Sequence, residues 1–149
     1  MSNKAEQRFH MAVAQYLDLA LPSHAVWTTF PAGGGGLTRG KFLKAMGLRA
    51  GWPDIQILVR STAFDSARSF SRFIGLELKT SKGVVTATQT AAHLSIRQSG
   101  GEVYIVRTLD EVCDALANKE HLKLLAVPAT APRGRAARKA PSNISRIAS

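Results

Sequence analysis

Cysteine is nearly absent: Cys113 is the only one in 149 residues. A disulfide framework and a cysteine-rich zinc site are thereby excluded, and a cytosolic (cytoplasmic) compartment is the default expectation. No apolar run approaches the roughly 18 residues that a membrane-spanning helix needs, so no membrane partner is expected. The opening Met-Ser-Asn-Lys-Ala-Glu lacks the basic-then-apolar layout of a signal peptide. Acidic residues are scarce too. Ten Asp and Glu stand against twenty Lys and Arg, a formal net charge of +10. An excess of that size points to a polyanionic partner, nucleic acid first. What remains is 45% hydrophobic. That composition is ordinary for a globular chain, and the length suits one domain.

The charge is unevenly spread. All ten acids lie in 1–127 with fifteen of the twenty basic residues, so this core carries +5. Residues 128–149 carry Arg133, Arg135, Arg138, Lys139 and Arg146 and no acid. That stretch is rich in Pro, Ala and Ser and has no apolar period. It buries too little to offset its chain entropy and reads as a disordered basic tail, either solubilising or phosphate-binding. A second basic segment lies inside the core. Arg39, Lys41, Lys44 and Arg49 fall in a span with no acid between Asp18 and Asp54. Four glycines at 33–36 precede it, without the Gly-Lys-Ser/Thr ending of a nucleotide-binding loop. Basic residues attached to a glycine loop are suited to contact with a DNA or RNA backbone.

Apolar spacing predicts a helix over 4–20, with Phe9, Val13, Tyr16, Leu17 and Ala20 on one face and Pro22 as its stop. Strands are predicted over 25–30, 54–60, 73–79 and 103–106, and helices over 40–46, 87–98 and 109–117. Residues 61–71 read as the loop of an antiparallel hairpin. Thr86-Ala-Thr-Gln89 and Thr108-Leu-Asp-Glu111 both fit a capping box. The expected product is an α/β domain with a central mixed β-sheet flanked by helices.

The hairpin holds the residues that could do chemistry. Gly51-Trp52-Pro53-Asp54 opens its first strand, and Glu77-Leu78-Lys79 ends its second. Residues two apart on a strand share a face, which makes Glu77 and Lys79 neighbours. If Arg60 faced Arg72, Asp54 would face Leu78. A slip of one residue would set it opposite Glu77 or Lys79. Two carboxylates converging from adjacent strands suit a hard cation, Mg²⁺ or Mn²⁺. A lysine beside them can hold a water nucleophile or offset phosphate charge. An ordinary Glu–Lys pair at a wet strand end is the plain alternative. No Ser-His-Asp order and no zinc-ligand cluster is present.

Pro-Asp followed by Glu-Leu-Lys resembles the PD-(D/E)XK nuclease superfamily, and the wider pattern resembles its VRR-NUC branch. The matching pieces are Glu6, Gly34 and Gly35, Arg39 and Lys41, Gly51 to Asp54, and Glu77-Leu78-Lys79. Thr86 to Gln89, Gly100-Gly101 and Tyr104-Ile105-Val106-Arg107 complete them. The resemblance covers about 6–116 and leaves out the tail. It implies a restriction-endonuclease-like nuclease domain over 1–127, with Asp54, Glu77 and the Leu78 carbonyl as metal ligands. Lys79 would serve the attacking water or the transition state. Glu6 would be an outer acid, and Gln89 a polar helper from the following helix. Glu6 also stands at capping-box spacing from Asn3, and Gln89 from Thr86. His10 and His93, each four residues after one of these two, could border the site or be structural. Cys113, Trp27, Phe30 and Tyr104 read as core residues. Trp52 reads as hairpin packing, with base stacking as the alternative.

The implied activity is a Mg²⁺- or Mn²⁺-dependent endodeoxyribonuclease that hydrolyses phosphodiesters. Resemblance alone adds branched DNA, such as a four-way junction, and a homodimer. Two rival functions are a non-catalytic nucleic-acid-binding module that keeps the fold, and an RNA-binding protein acting through the basic tail. Nothing like an aromatic base-stacking platform supports the latter.

Overall fold

The structure is a computed structural model, and it describes residues 2–30, 36–61, 70–117, 122, 124 and 125. The elements run α1 (Ser2–Ala20), β1 (Ala25–Thr29), α2 (Gly36–Ala45), β2 (Ile55–Ser61), β3 (Phe70–Leu78), α3 (Ala87–Gln98), β4 (Glu102–Val106) and α4 (Leu109–Ala117). The glycine loop at 33–35, most of the 61–71 connection and the tail at 128–149 lie outside the described residues.

The four strands form one mixed sheet in the order β1-β2-β3-β4. β1 pairs antiparallel with β2, and β2 antiparallel with β3. β4 pairs parallel with β3. A parallel neighbour needs a crossover, and α3 provides it. The expected α/β architecture with a mixed sheet and flanking helices is what the chain adopts.

The core lies between one sheet face and the pair α1 and α4. Val13, Leu17 and Ala20 repeat at helical spacing on α1 and are fully buried. They meet Ile55, Ile57 and Val59 of β2, Ile74, Leu76 and Leu78 of β3, and Val112, Cys113 and Leu116 of α4. Tyr16 Oη and Cys113 Sγ share a hydrogen bond of 2.8 Å inside this layer. Phe9, Trp27 and Tyr104 pack at its margin. Trp27 keeps its indole N–H satisfied on Asp18 Oδ1 at 3.1 Å. Leu122 is also buried, and Leu125 N–H donates to Ala20 C=O at 2.7 Å, which returns the chain to the end of α1.

Three expectations need correction. α2 begins at Gly36, not at residue 40. Glycine's poor helix propensity hides that start, because Gly36 and Gly40 both fall inside the helix. β3 begins at Phe70, not at residue 73. Its polar Ser71 and Arg72 belong to the ladder because they pair with Arg60 and Val59. The second capping box is only half formed. Thr108 Oγ1 accepts from Glu111 N–H at 3.2 Å, but the Glu111 carboxylate accepts from Arg107 N–H at 2.6 Å. The box at Thr86 and Gln89 is complete.

Candidate active site

The register of the hairpin decides where the carboxylates meet. Ile55 pairs with Leu76. One more step along the same register sets Asp54 opposite Glu77, the slipped alternative that brings the two acids together. Alternation along β3 sends Ile74, Leu76 and Leu78 into the α1/α4 core and Glu77 to the other face, under α3. Asp54 stands at the mouth of β2 and caps the end of β3. Its Oδ2 accepts from Leu78 N–H at 2.8 Å. Its carbonyl accepts from Phe30 N–H at 2.7 Å and from the Thr29 hydroxyl at 3.2 Å. Pro53 lies over Gly75, where an added Cβ would come within 2.7 Å of the proline ring. Glycine at 75 therefore lets the Pro-Asp turn close onto β3.

Glu77 is buried, with 1% of its surface exposed. Lys79 Nζ lies 3.0 Å from its Oε1, with 14% side-chain exposure. The ladder continues past β3, since Lys79 N–H donates to Val106 C=O at 3.0 Å. That keeps Lys79 on the same face as Glu77. Gln89 Nε2 also donates to Glu77 Oε1. The same Gln89 accepts from Thr86 N–H at 2.9 Å through its Oε1. Capping and site contact are thus one arrangement: the cap orients the amide, and the amide reaches the carboxylate. His93 lies one turn further along α3, 2% exposed, with Nε2 3.3 Å from Glu77 Oε2.

Arg107 fixes the loop that leads into α3. Its Nη1 donates to Thr80 C=O at 2.5 Å and to Gly83 C=O at 2.8 Å. Gly51 brings the other side in. Its φ is +80°, and a Cβ there would come within 2.5 Å of Thr88 C=O. Only glycine allows the Trp52-Pro53-Asp54 segment to lie so close to the first turn of α3.

Burial dominates the electrostatics. It pushes the Glu77 carboxyl up to about 7; the neighbouring Asp54 charge pushes the same way, and Lys79 opposes both. Burial also raises Asp54, while the Leu78 N–H, Lys79 and His10 oppose the rise. Glu6 adds a smaller repulsion to both acids. It therefore lies near them as an exposed outer charge on α1. α1 starts at Ser2, one residue before Asn3. His93 is lowered, first by burial and then by Arg97 and Lys79. That favours its neutral ring, one nitrogen of which shares a hydrogen bond with Glu77.

The donor set fits a hard divalent cation. Two oxygen-donor side chains meet at a place where each charge destabilises the other, and a cation would relieve both. Among the described residues no group of three His, Cys, Asp or Glu side chains is arranged for a metal. Backbone carbonyls or waters would complete the ligation, as is usual for a hydrated Mg²⁺ or Mn²⁺. Arg39, Lys41, Lys44 and Arg49 are all exposed, on α2 and the turn after it.

The structure brings Asp54, Glu77, Lys79 and Gln89 together at one end of the hairpin. His93, which the sequence leaves open between a border and a structural role, joins them, and Thr29 and the Arg107 clamp are additions from the structure. Four-residue spacing from Gln89 was the signal for His93. Nothing local marks Thr29, and the match at Arg107 gives it no role, because their contacts span 25 and 27 positions of sequence.

Among the described residues no helix is long and apolar enough to cross a membrane. No protein-family model matches the sequence, and no curated protein matches it. A solved structure described as a "VRR_NUC domain protein" superposes on 79% of this chain and 89% of its own, with a TM-score of 0.55 and 17% sequence identity. The architecture that the Pro-Asp and Glu-Leu-Lys motifs imply is therefore the one observed: the chain has the α/β, restriction-endonuclease-like fold of a VRR_NUC domain.

Proposed function

We propose that this protein is a Mg²⁺- or Mn²⁺-dependent endodeoxyribonuclease. The supporting observation is the convergence of Asp54, Glu77 and Lys79 at one end of the β2–β3 hairpin, with Lys79 Nζ 3.0 Å from Glu77 Oε1. Asp54 and Glu77 would hold the cation, with the Leu78 carbonyl as a third donor. When bound, it would neutralise phosphate charge and lower the pKa of a water. The chain's own residues do the rest. Gln89 and His93 fix the two oxygens of Glu77, so the carboxylate presents one orientation. Lys79 holds the attacking water or offsets charge that builds on the phosphate oxygens. Water oxygen forms the new P–O bond in line as the bond to the leaving oxygen breaks. Glu6 keeps the rim of the site negative. Arg39, Lys41, Lys44 and Arg49 hold the flanking phosphates, which compensates for the acids' repulsion of DNA.

Branched DNA is the favoured substrate class in this reading. Symmetric cutting of a four-way junction needs two sites, which a homodimer would supply. The test is incubation of plasmid and of a synthetic junction with Mg²⁺, with Mn²⁺ and with chelator. Cleavage is expected with either metal and none with chelator. Lys79→Ala should bind DNA and cut at least a hundredfold more slowly. Metal-dependent binding without cleavage by the unmodified protein would leave only a binding module.

A further inference from the structure

A cavity beside the carboxylates enters the reading above only through Arg49. It measures about 390 Å³ and is lined by Phe30, Gly47, Leu48, Arg49, Trp52 and Gln56. That volume lies in the range of small-molecule sites, about 300–1,000 Å³. Its walls are tied to Asp54. Trp52 stands two residues before it. Gln56 stands two residues after it on β2, and so shares its face of the sheet. Phe30 donates its N–H to the Asp54 carbonyl at 2.7 Å.

The lining has a definite chemistry. Trp52 and Phe30 are half-buried aromatics. The indole packs edge to face with Phe73, with ring centroids 6.1 Å apart. Gln56 is half-buried between Thr28 and Gly75 on the neighbouring strands. Among the described residues its side-chain amide has no hydrogen-bond partner, so it offers both a donor and an acceptor. Arg49 is exposed and brings a fixed positive charge. A flat π-system with a polar edge, carried on a phosphate chain, satisfies all three features at once. That description is a nucleotide.

We propose that this cavity receives the base of one unpaired nucleotide adjoining the scissile phosphate. The base stacks on Trp52 and Phe30, Gln56 hydrogen-bonds its edge, and Arg49 pairs with the neighbouring phosphate. A base within a duplex is already stacked and paired and does not enter. This deepens the nuclease reading and rests on it: the enzyme would prefer DNA with a single-stranded or distorted position at the cut, as a branch point has.

Binding without chemistry tests it. The chain has two tryptophans. Trp27→Phe therefore leaves Trp52 as the sole indole fluorophore. The full-length Trp27→Phe protein is titrated in chelator with a dye-labelled oligothymidylate and with an abasic chain of equal length. Anisotropy reports binding, and tryptophan emission reports stacking. Oligothymidylate should bind and quench Trp52, while the abasic chain binds more weakly and leaves the emission unchanged. In the otherwise unmodified protein, Trp52→Ala should weaken oligothymidylate binding roughly tenfold, as expected for one stacked base. It should leave abasic binding unchanged, and Trp52→Phe should keep most of the affinity. Equal quenching by both chains, or binding of oligothymidylate without quenching, would overturn the base site and leave the nuclease reading standing. Failure of both chains to bind by anisotropy would overturn both.

Discussion

Glu77 has Lys79 and Gln89 on one oxygen, His93 on the other, and 1% of its surface exposed. Ionising it there costs free energy, and its pKa of about 7 against an ordinary 4.5 records that cost. The folded state binds this proton more tightly than the unfolded state does. Its contribution to stability is thus fully present below about pH 4.5 and is lost as pH rises through about 7. Metal-free protein should melt progressively lower between those values. Glu77→Gln should flatten that part of the profile and raise stability at pH 8 by roughly 2–3 kcal/mol, read from thermal melts in chelator. A wild-type profile that rises through this window would contradict the burial of an uncompensated carboxylate. Asp54 is raised as well and adds in the same direction.

The hairpin, the first turn of α3 and the loop before it work as one unit. Thr86 and Gln89 cap the same helix, but only Gln89 touches Glu77. Thr86→Ala should cost about 1 kcal/mol of stability. Gln89→Ala should cost a similar amount and reduce cleavage far more, since it also frees the Glu77 carboxylate. Parallel melts and cleavage rates for the two variants separate the roles; equal losses of activity would show that only the cap matters. Gly51→Ala would place a side chain on positive φ against the Thr88 carbonyl. A loss of roughly 1–3 kcal/mol is expected from the backbone strain, together with a fall in activity as Asp54 shifts. Much of this unit was legible in the sequence. Apolar spacing of three and four located α1, short apolar and β-branched runs located the strands, and the cap residues marked the start of α3. The register was not legible, because a one-residue slip changes no local property. Only packing decides it: Ile55 and Ile57 must both face α1 and α4, and that choice aligns Asp54 with Glu77. The start of α2 was hidden by glycines whose helical state depends on context.

At the scale of the whole molecule, charge is divided by task. The acids Asp54, Glu77 and Glu6 make one negative end of the sheet, in a chain of net charge +10. The exposed cations of α2 and the basic tail would carry the contact with DNA. Removing 128–149 deletes five positive charges. If all five meet phosphates, the slope of log affinity against log salt should fall by roughly 4–5. Thermal stability should stay unchanged, and a large drop in melting temperature would mean that the tail packs on the core.

The central claim is that Asp54 and Glu77 together make a metal-dependent hydrolytic site. Its most direct measurement is cleavage of a synthetic four-way junction by highly purified wild-type and Asp54→Asn proteins with Mg²⁺, with junction binding followed in chelator. The substitution keeps the side chain's size and its place beside Leu78 N–H while removing one negative charge. Wild type should cut, and Asp54→Asn should bind at least as tightly, because a charge that repels phosphate is gone, yet leave the junction intact. Cleavage by Asp54→Asn at the wild-type rate would contradict the site.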